Sequence, residues 1–310
     1  MATHQTDETV FDKGILTVSI DFELLWGTLD RKCRGRFRKW CRIEREQVID
    51  RLIGLFEKHR IRATWGVVGS LFLEDRGGET DSSLLHGSDL IEKIRRCGVP
   101  QEIGSHTFSH TMLGDSRCTE EIARREFSEA TRVACAAGIE MRSLIFPRNK
   151  VGHLGLAKQF GFTCFRGPEP HWYRSQPRAV RRAGHLLEIF AARTPPSVVP
   201  EYDREGLWNI PGSMLYTPSF GSRRFVPVWL RVARAKKGLA EAVRRKRIFH
   251  LWFHPTDLAC RMEAMLDGLD SIFGEAARLR DDGQLNVLSM QDLARREEMA
   301  NEIEEEPCVR

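Results

Sequence analysis

The sequence predicts an α/β fold, a distorted (β/α) barrel of about seven parallel strands, and three observations lead there. Short apolar, β-branched runs alternate with longer helical patterns along most of the 310 residues. The alternation recurs about seven or eight times, which suits a closed barrel better than an open sheet. The residues able to bind metal or move protons fall at the ends of the apolar runs, where a parallel barrel keeps its active site.

In chain order, residues 15–20 read as the first strand. A helix follows over 44–59, with Val48, Leu52, Leu55 and Phe56 at helical spacing. Residues 63–68 form the second strand, followed by a polar, glycine-containing loop and a helix near 89–96. A short strand at 102–105 leads to a helix over 119–137 that Gly138 closes. Further strands are predicted at 143–146, 162–165, 207–210, 248–253 and 285–288. Helices fill 155–160, about 226–246, 259–280 and 289–303. Irregular stretches at 70–87 and 166–205 make the barrel a distorted one. No internal repeat or low-complexity linker appears, so the expected organisation is one catalytic domain over 12–292 and a charged C-terminal helix or tail over 293–310.

Composition narrows the class. Hydrophobic residues make up 41% and charged residues 29%, a globular balance. No run approaches the ~18 apolar residues of a membrane span, and the first residues lack the pattern of a signal peptide. A cytoplasmic protein is expected, possibly peripheral at the inner face of the membrane. Eight cysteines include no C-x-x-C pair, which argues for reduced, structural thiols. The net charge of +5 is unevenly spread, with eight basic residues and one acid between Arg31 and Arg45.

Three clusters carry chemistry. Asp21 and Glu23, in SIDFELLWG, are two apart at the end of the first strand, so both face the same side. Two carboxylates there repel unless a cation or proton lies between them. His106 and His110, in GSHTFSHTM, follow the 102–105 strand; on a helical turn both imidazoles would share one face and one metal ion. His254 ends the apolar strand FHLWFHP, while His250, deeper in that strand, reads as structural.

Acid-x-acid, His-x-x-x-His and a late strand ending in His, in that order, resemble the polysaccharide deacetylases (the NodB-homology domain, carbohydrate esterase family 4). The resemblance covers roughly residues 12–292 and implies the NodB-type barrel. It implies Asp21 as catalytic base and Glu23, His106 and His110 as ligands of one divalent metal, most simply Zn, with Co or Ni as alternatives. It also implies His254 as catalytic acid and Leu251 as part of the acyl pocket. The family's adjacent aspartates are here separated by one residue, with glutamate second. Its Arg-Pro-Pro-Tyr segment corresponds to Phe146-Pro147-Arg148-Asn149, with Arg148 orienting Asp21 from a displaced register. Trp172 stands for the family's tryptophan, and Glu169 or Glu188 for the aspartate that tunes the catalytic histidine. Trp26 and Asn149 complete the candidate substrate contacts.

The implied activity is removal of an N-acyl group, acetyl above all, from an amino sugar. A cytoplasmic setting directs this to a small nucleotide- or lipid-linked saccharide. The basic run with Phe37 and Trp40 would suit a diphosphate or an anionic lipid surface. Residues 226–247 place Trp229, Val232, Leu239, Ala240 and Val243 on one side, a pattern of a barrel helix packing inward or of a membrane-surface helix. No nucleic-acid-binding motif is present. A deformylase or non-sugar amidase would use the same residues, and a degenerate fold could only bind saccharide. A non-haem iron oxygenase shares the two-His, one-carboxylate set, but its usual His-x-acid pair and jelly-roll pattern are missing.

Overall fold

In the computed structural model, residues 11–29, 34–75, 82–171, 176–177, 180, 184 and 187–305 are described. Ten strands make one sheet: β1 (Gly14–Phe22), β2 (Ala63–Val67), β3 (Glu102–Ser105), β4 (Ser143–Ile145), β5 (Cys164–Arg166), β6 (Glu201–Tyr202), β7 (Trp208–Asn209), β8 (Met214–Leu215), β9 (Ile248–Phe253) and β10 (Leu285–Val287). Their order is β6-β7-β5-β4-β3-β2-β1-β9-β8, with β10 beside the start of β1. Every pairing is parallel except β6 with β7. The sheet curls into an incompletely closed barrel, and an antiparallel bridge from Val198 to Ile248 joins the approach to β6 with β9. The two-residue strands β6 and β8 have no sequence signature, being too short to show a period.

Nine helices are described. They are α1 (Arg34–Ile43), α2 (Ile49–His59), α3 (Ser88–Arg95), α4 (Glu120–Ala136), α5 (Leu154–Gln159), α6 (Val228–Arg245), α7 (Pro255–Leu258), α8 (Met262–Asp281) and α9 (Met290–Glu305). Between α1 and α2 the backbone widens into a π turn over Glu44–Val48. The predicted basic loop is therefore helix from Arg34 on; residues 31–33 lie outside the described residues. Phe37 and Trp40 are buried on α1, where the Trp40 ring stacks on Phe220. They are packing residues, so neither ring is presented to a diphosphate or a lipid surface as the sequence suggested.

Alternation along the strands sorts two environments. Val18, Ile20 and Phe22 of β1 join Phe249, Leu251 and Phe253 of β9 in the main apolar core beneath α2, α6 and α8. Ser19, Asp21 and His250 face the barrel interior instead, where Ser19 meets both His250 and Arg166. The interior floor is apolar: Ile15, Ile145, Cys164, Trp208 and Ile248 come from five different strands and meet Met290 and Leu293 of α9. That helix is tied in by the Met290 amide, which donates to Thr64 Oγ1 at 2.9 Å. Leu293 and Ala294 are buried, so the predicted break between 292 and 293 falls inside a helix that closes the barrel.

Helix α6 lies close over β1 and β9. The Phe249 ring sits where a side chain at Gly238 would be, and a Cβ on Gly14 would come 2.7 Å from the Val243 amide nitrogen. Backbone cannot yield as a side chain end can. Gly14→Ala is expected to cost about 1–3 kcal/mol, seen as a lower urea midpoint with an unchanged slope.

Candidate active site

Parallel register delivers the chemistry to one rim. Asp21 pairs with Gly66 and Ile20 with Phe253, so β1 and β9 end side by side and set Asp21 near His254. Glu23 follows β1, and Leu24 then takes a left-handed conformation that turns the chain into a short 3-10 segment. The Glu23 carboxylate lies over Gly27, where any Cβ would collide with it.

His106 and His110 do converge, but not on a helical turn. Thr107 and His110 have positive φ and the segment is an irregular loop. Glu126 of α4 holds it, accepting from the Phe108 and Ser109 amides at 2.9 Å each and from the Ser109 hydroxyl at 2.6 Å. Nothing in the local sequence pointed to Glu126, which acts from 17 residues away. The outcome is still a shared centre: Glu23 Oε1 is 3.0 Å from His106 Nε2 and 3.1 Å from His110 Nε2.

The donor set fits a divalent cation. His106 Nδ1 lies 2.8 Å from the Ile145 carbonyl, to which it donates. In the neutral ring this leaves a bare lone pair on Nε2, facing a carboxylate oxygen that is also electron-rich. Burial pushes Glu23 toward neutrality, but His110 and His254 outweigh it and hold the carboxyl well below the usual range. A carboxylate and two imidazole nitrogens at such spacing are a donor set that a zinc-like ion takes.

Asp21 is fixed from an unpredicted direction. Arg166, at the end of β5, donates to Asp21 Oδ1 at 2.6 Å and Oδ2 at 2.8 Å, with both side chains buried. Arg148 does not make this contact. It follows β4 in a left-handed conformation and lines an adjoining cleft, while Asn149 accepts from Arg166 at 3.2 Å. The Arg166 guanidinium also lies 4.2 Å from the Trp252 ring centroid and donates to Ser19 at 3.0 Å. Ser19 in turn meets His250 Nε2 at 2.8 Å. Burial and then the Arg166 charge push His250 down to about 3, so it is a neutral structural ring. For Asp21, burial raises the carboxyl and Arg166 and His254 more than reverse it, leaving it below its ordinary value.

His254 finds its partner three residues on. Asp257 Oδ2 is 3.0 Å from Nδ1, and Nε2 points to Asp21 Oδ2 and Glu23 Oε1, 3.6 Å from each. Glu169 and Glu188, the predicted substitutes, do other work: Glu169 accepts from Trp252 Nε1 at 2.7 Å, and both pair with His171. The i, i+3 spacing in HPTD was the overlooked signal. Burial would lower His254, but Glu23, Asp257 and Asp21 together push it up to about 10. Leu251 is fully buried in the outer core, facing the same way as Phe249 and Phe253, so it cannot line an acyl pocket. Leu215, with Leu24, Phe37 and Phe220, lines the recess of about 120 Å3 that holds Glu23 and His254. On the other side, Trp26, His110, Met112 and Arg148 border a cleft of about 350 Å3. Trp172 lies outside the described residues.

Beneath the site, Glu44 is fully buried in the π turn and hydrogen-bonds Thr256, between His254 and Asp257; its other oxygen, Oε1, has no partner. Burial pushes it up to about 8 despite the Thr256 contact. An acid raised on folding releases its proton earlier when unfolded. Its contribution to stability is therefore full below the unfolded value of 4.5 and is lost as pH rises toward about 8. Glu44→Gln should remove that loss, gaining a few kcal/mol on the wild type between pH 5 and pH 9. Urea titrations at the two pH values check it.

Residues 39–164 match the family model described as polysaccharide deacetylase. No curated protein sequence matches the chain. Among solved structures, a Mycobacterium smegmatis protein assigned to the polysaccharide deacetylases has a TM-score of 0.69 at 15% identity, covering 95% of this chain and 93% of that one. A Pseudomonas aeruginosa PAO1 protein with the same assignment gives 0.62 at 12% identity, covering 91% and 89%. Puue allantoinase gives 0.63 at 13% identity, with the same coverage. Identities this low show a shared fold, in agreement with the barrel predicted from the sequence.

Proposed function

We propose that this chain, which carries the polysaccharide deacetylase signature over residues 39–164, is a metal-dependent hydrolase that removes a small N-acyl group, most simply acetyl, from an amino sugar. The observation that carries the proposal is the meeting of Glu23, His106 and His110 within 3.1 Å, beside a buried, arginine-held Asp21 and an acid-paired His254. Glu23, His106 and His110 would hold one divalent ion, which when bound supplies Lewis-acid polarisation of an amide carbonyl and of water.

The protein's own groups divide the proton transfers. Asp21 is kept ionised by Arg166 and oriented by two hydrogen bonds, so it accepts the proton from the attacking water. His254 has Nδ1 committed to Asp257, which aims Nε2 into the site. From Nε2 it donates a proton to the departing amine, which could not leave as an anion near neutral pH. Each such transfer is typically worth about 10²–10⁴ in rate. The saccharide would lie along the cleft bordered by Trp26 and Arg148, and the acyl group would enter the recess lined by Leu215 and Phe37. A nucleotide- or lipid-linked saccharide would be the substrate. A deformylase or another linear amidase would use the same transfers, and the acid released distinguishes them.

Metal analysis of wild type beside His106→Ala is the first test. About one equivalent of zinc or a similar ion is expected in the wild type and none in the variant. No metal in either, after incubation with zinc, cobalt or nickel, would leave only a saccharide-binding protein. Asp21→Asn should keep its metal and lose about 10²–10⁴ in turnover, followed as acetate release from acetylated amino sugars. Loss of the metal in that variant would make Asp21 a ligand.

A further inference from the structure

One surface takes no part in this chemistry. Ile189, Val226 and Leu230 bury one another, with Ala192 against them, and so fasten residues 187–192 to the start of α6. Around that contact four large apolar side chains face solvent: Leu187 at 67%, Phe190 at 53%, Phe225 at 66% and Trp229 at 67% exposure. Three of them adjoin a buried member in sequence, Phe190 after Ile189, Phe225 before Val226 and Trp229 before Leu230, and Leu187 lies two residues before Ile189. The inward stripe predicted for α6 therefore lacks Trp229, while Leu239 does pack inward.

The charge beside these rings is largely positive among the described residues. Arg193, Arg224 and Lys237 are exposed and Arg223 and Lys236 half-buried, while Arg231 and Arg234 are buried against backbone carbonyls and Arg193 pairs with Glu188. Arg224 stacks on the Phe225 ring at 4.6 Å, and Arg234 and Lys237 donate to the carbonyls of Arg193 and Ala192, which ties the two segments together. The patch also borders the site, because Phe220 and Arg223 line the recess that holds His254.

We propose that this face docks on an anionic lipid surface. Phe225, Trp229, Phe190 and Leu187 would enter the interfacial layer while the surrounding cations meet lipid phosphates. Exposed apolar area of this extent on a soluble chain marks an interaction site. A second copy is a poor occupant: two-fold pairing would set one basic face against its twin. An anionic surface complements both features, and it would hold the mouth of the His254 recess toward the lipid. This surface does not depend on the hydrolase reading.

The test is co-sedimentation of the full chain with vesicles of phosphatidylcholine, or of phosphatidylcholine with roughly 30% phosphatidylglycerol. Binding to the anionic vesicles is expected, weaker by about tenfold or more on phosphatidylcholine alone and falling as salt rises. Phe225→Ser with Trp229→Ser should reduce it by about tenfold, with circular dichroism and metal content unchanged. Equal binding to both vesicles, binding unaffected by the double variant, or no binding would overturn the proposal. So would self-association that the double variant abolishes, which would assign the face to a second copy. No turnover is measured, so a failed hydrolase assay and a failed docking surface give separate results.

Discussion

Three carboxyl groups buried within one small volume are the constraint around which this molecule is arranged. Asp21, Glu23 and Glu44 are each removed from bulk water, and an unpaired buried carboxylate is prohibitively costly. Each is resolved differently. Asp21 is matched by Arg166 in a two-fold hydrogen-bonded pair. Glu44 meets only the Thr256 hydroxyl, and burial, outweighing that contact and the charge of His254, pushes it up to about 8. Glu23 meets the Nε2 atoms of His106 and His110, a group that could hold a cation. In the proposed reaction a neutral Asp21 could not accept a proton, and an ionised Glu44 would set another negative charge under the His254–Asp257 pair.

The barrel makes this arrangement affordable by separating a dry end from a polar one. At the floor, Ile15, Ile145, Trp208 and Ile248 close on Met290 and Leu293. Above them the interior narrows around Ser19, His250 and Arg166, hydrogen-bonded in sequence. Gly66 contributes by absence, since a Cβ there would strike Ile145 at 2.8 Å. The arginine is therefore clamped by Asp21, Ser19, Asn149 and the Trp252 face. Rigid support of this kind is what a proton acceptor needs in order to keep one orientation through turnover.

What could be read in advance followed from local spacing. The strand bounds of β3 and β9 were predicted to the residue, β9 because its apolar run is bounded by Arg247 and by a histidine–proline step. Asp21, Glu23, His106, His110 and His254 could be proposed because each stands at or just beyond the end of its strand. Partners from distant segments could not. Arg166 reaches Asp21 across 145 residues and Glu126 braces the histidine loop from another helix, and neither is encoded by periodicity. The helical turn predicted for His106–His110 failed because two left-handed residues, Thr107 and His110, bring the rings together by another route. Leu251 was misassigned for a simpler reason, strand parity: a residue three before His254 faces the opposite side of β9.

The change of arginine has a consequence for specificity. An arginine at the end of β4 that held Asp21 would be committed to that carboxylate and could not face the cleft. Here Arg166 on β5 holds Asp21, and the β4 turn, left-handed at both Arg148 and Asn149, carries Arg148 to the edge of the cleft beside His110. Non-glycine residues held in that conformation are strained and persist where the surroundings impose them. Asn149 is held by Arg166, so the guanidinium that fixes the base also fixes the turn presenting Arg148. The orientation of Asp21, the proposed base, and the shape of the cleft proposed for the saccharide are thus tied to one buried side chain.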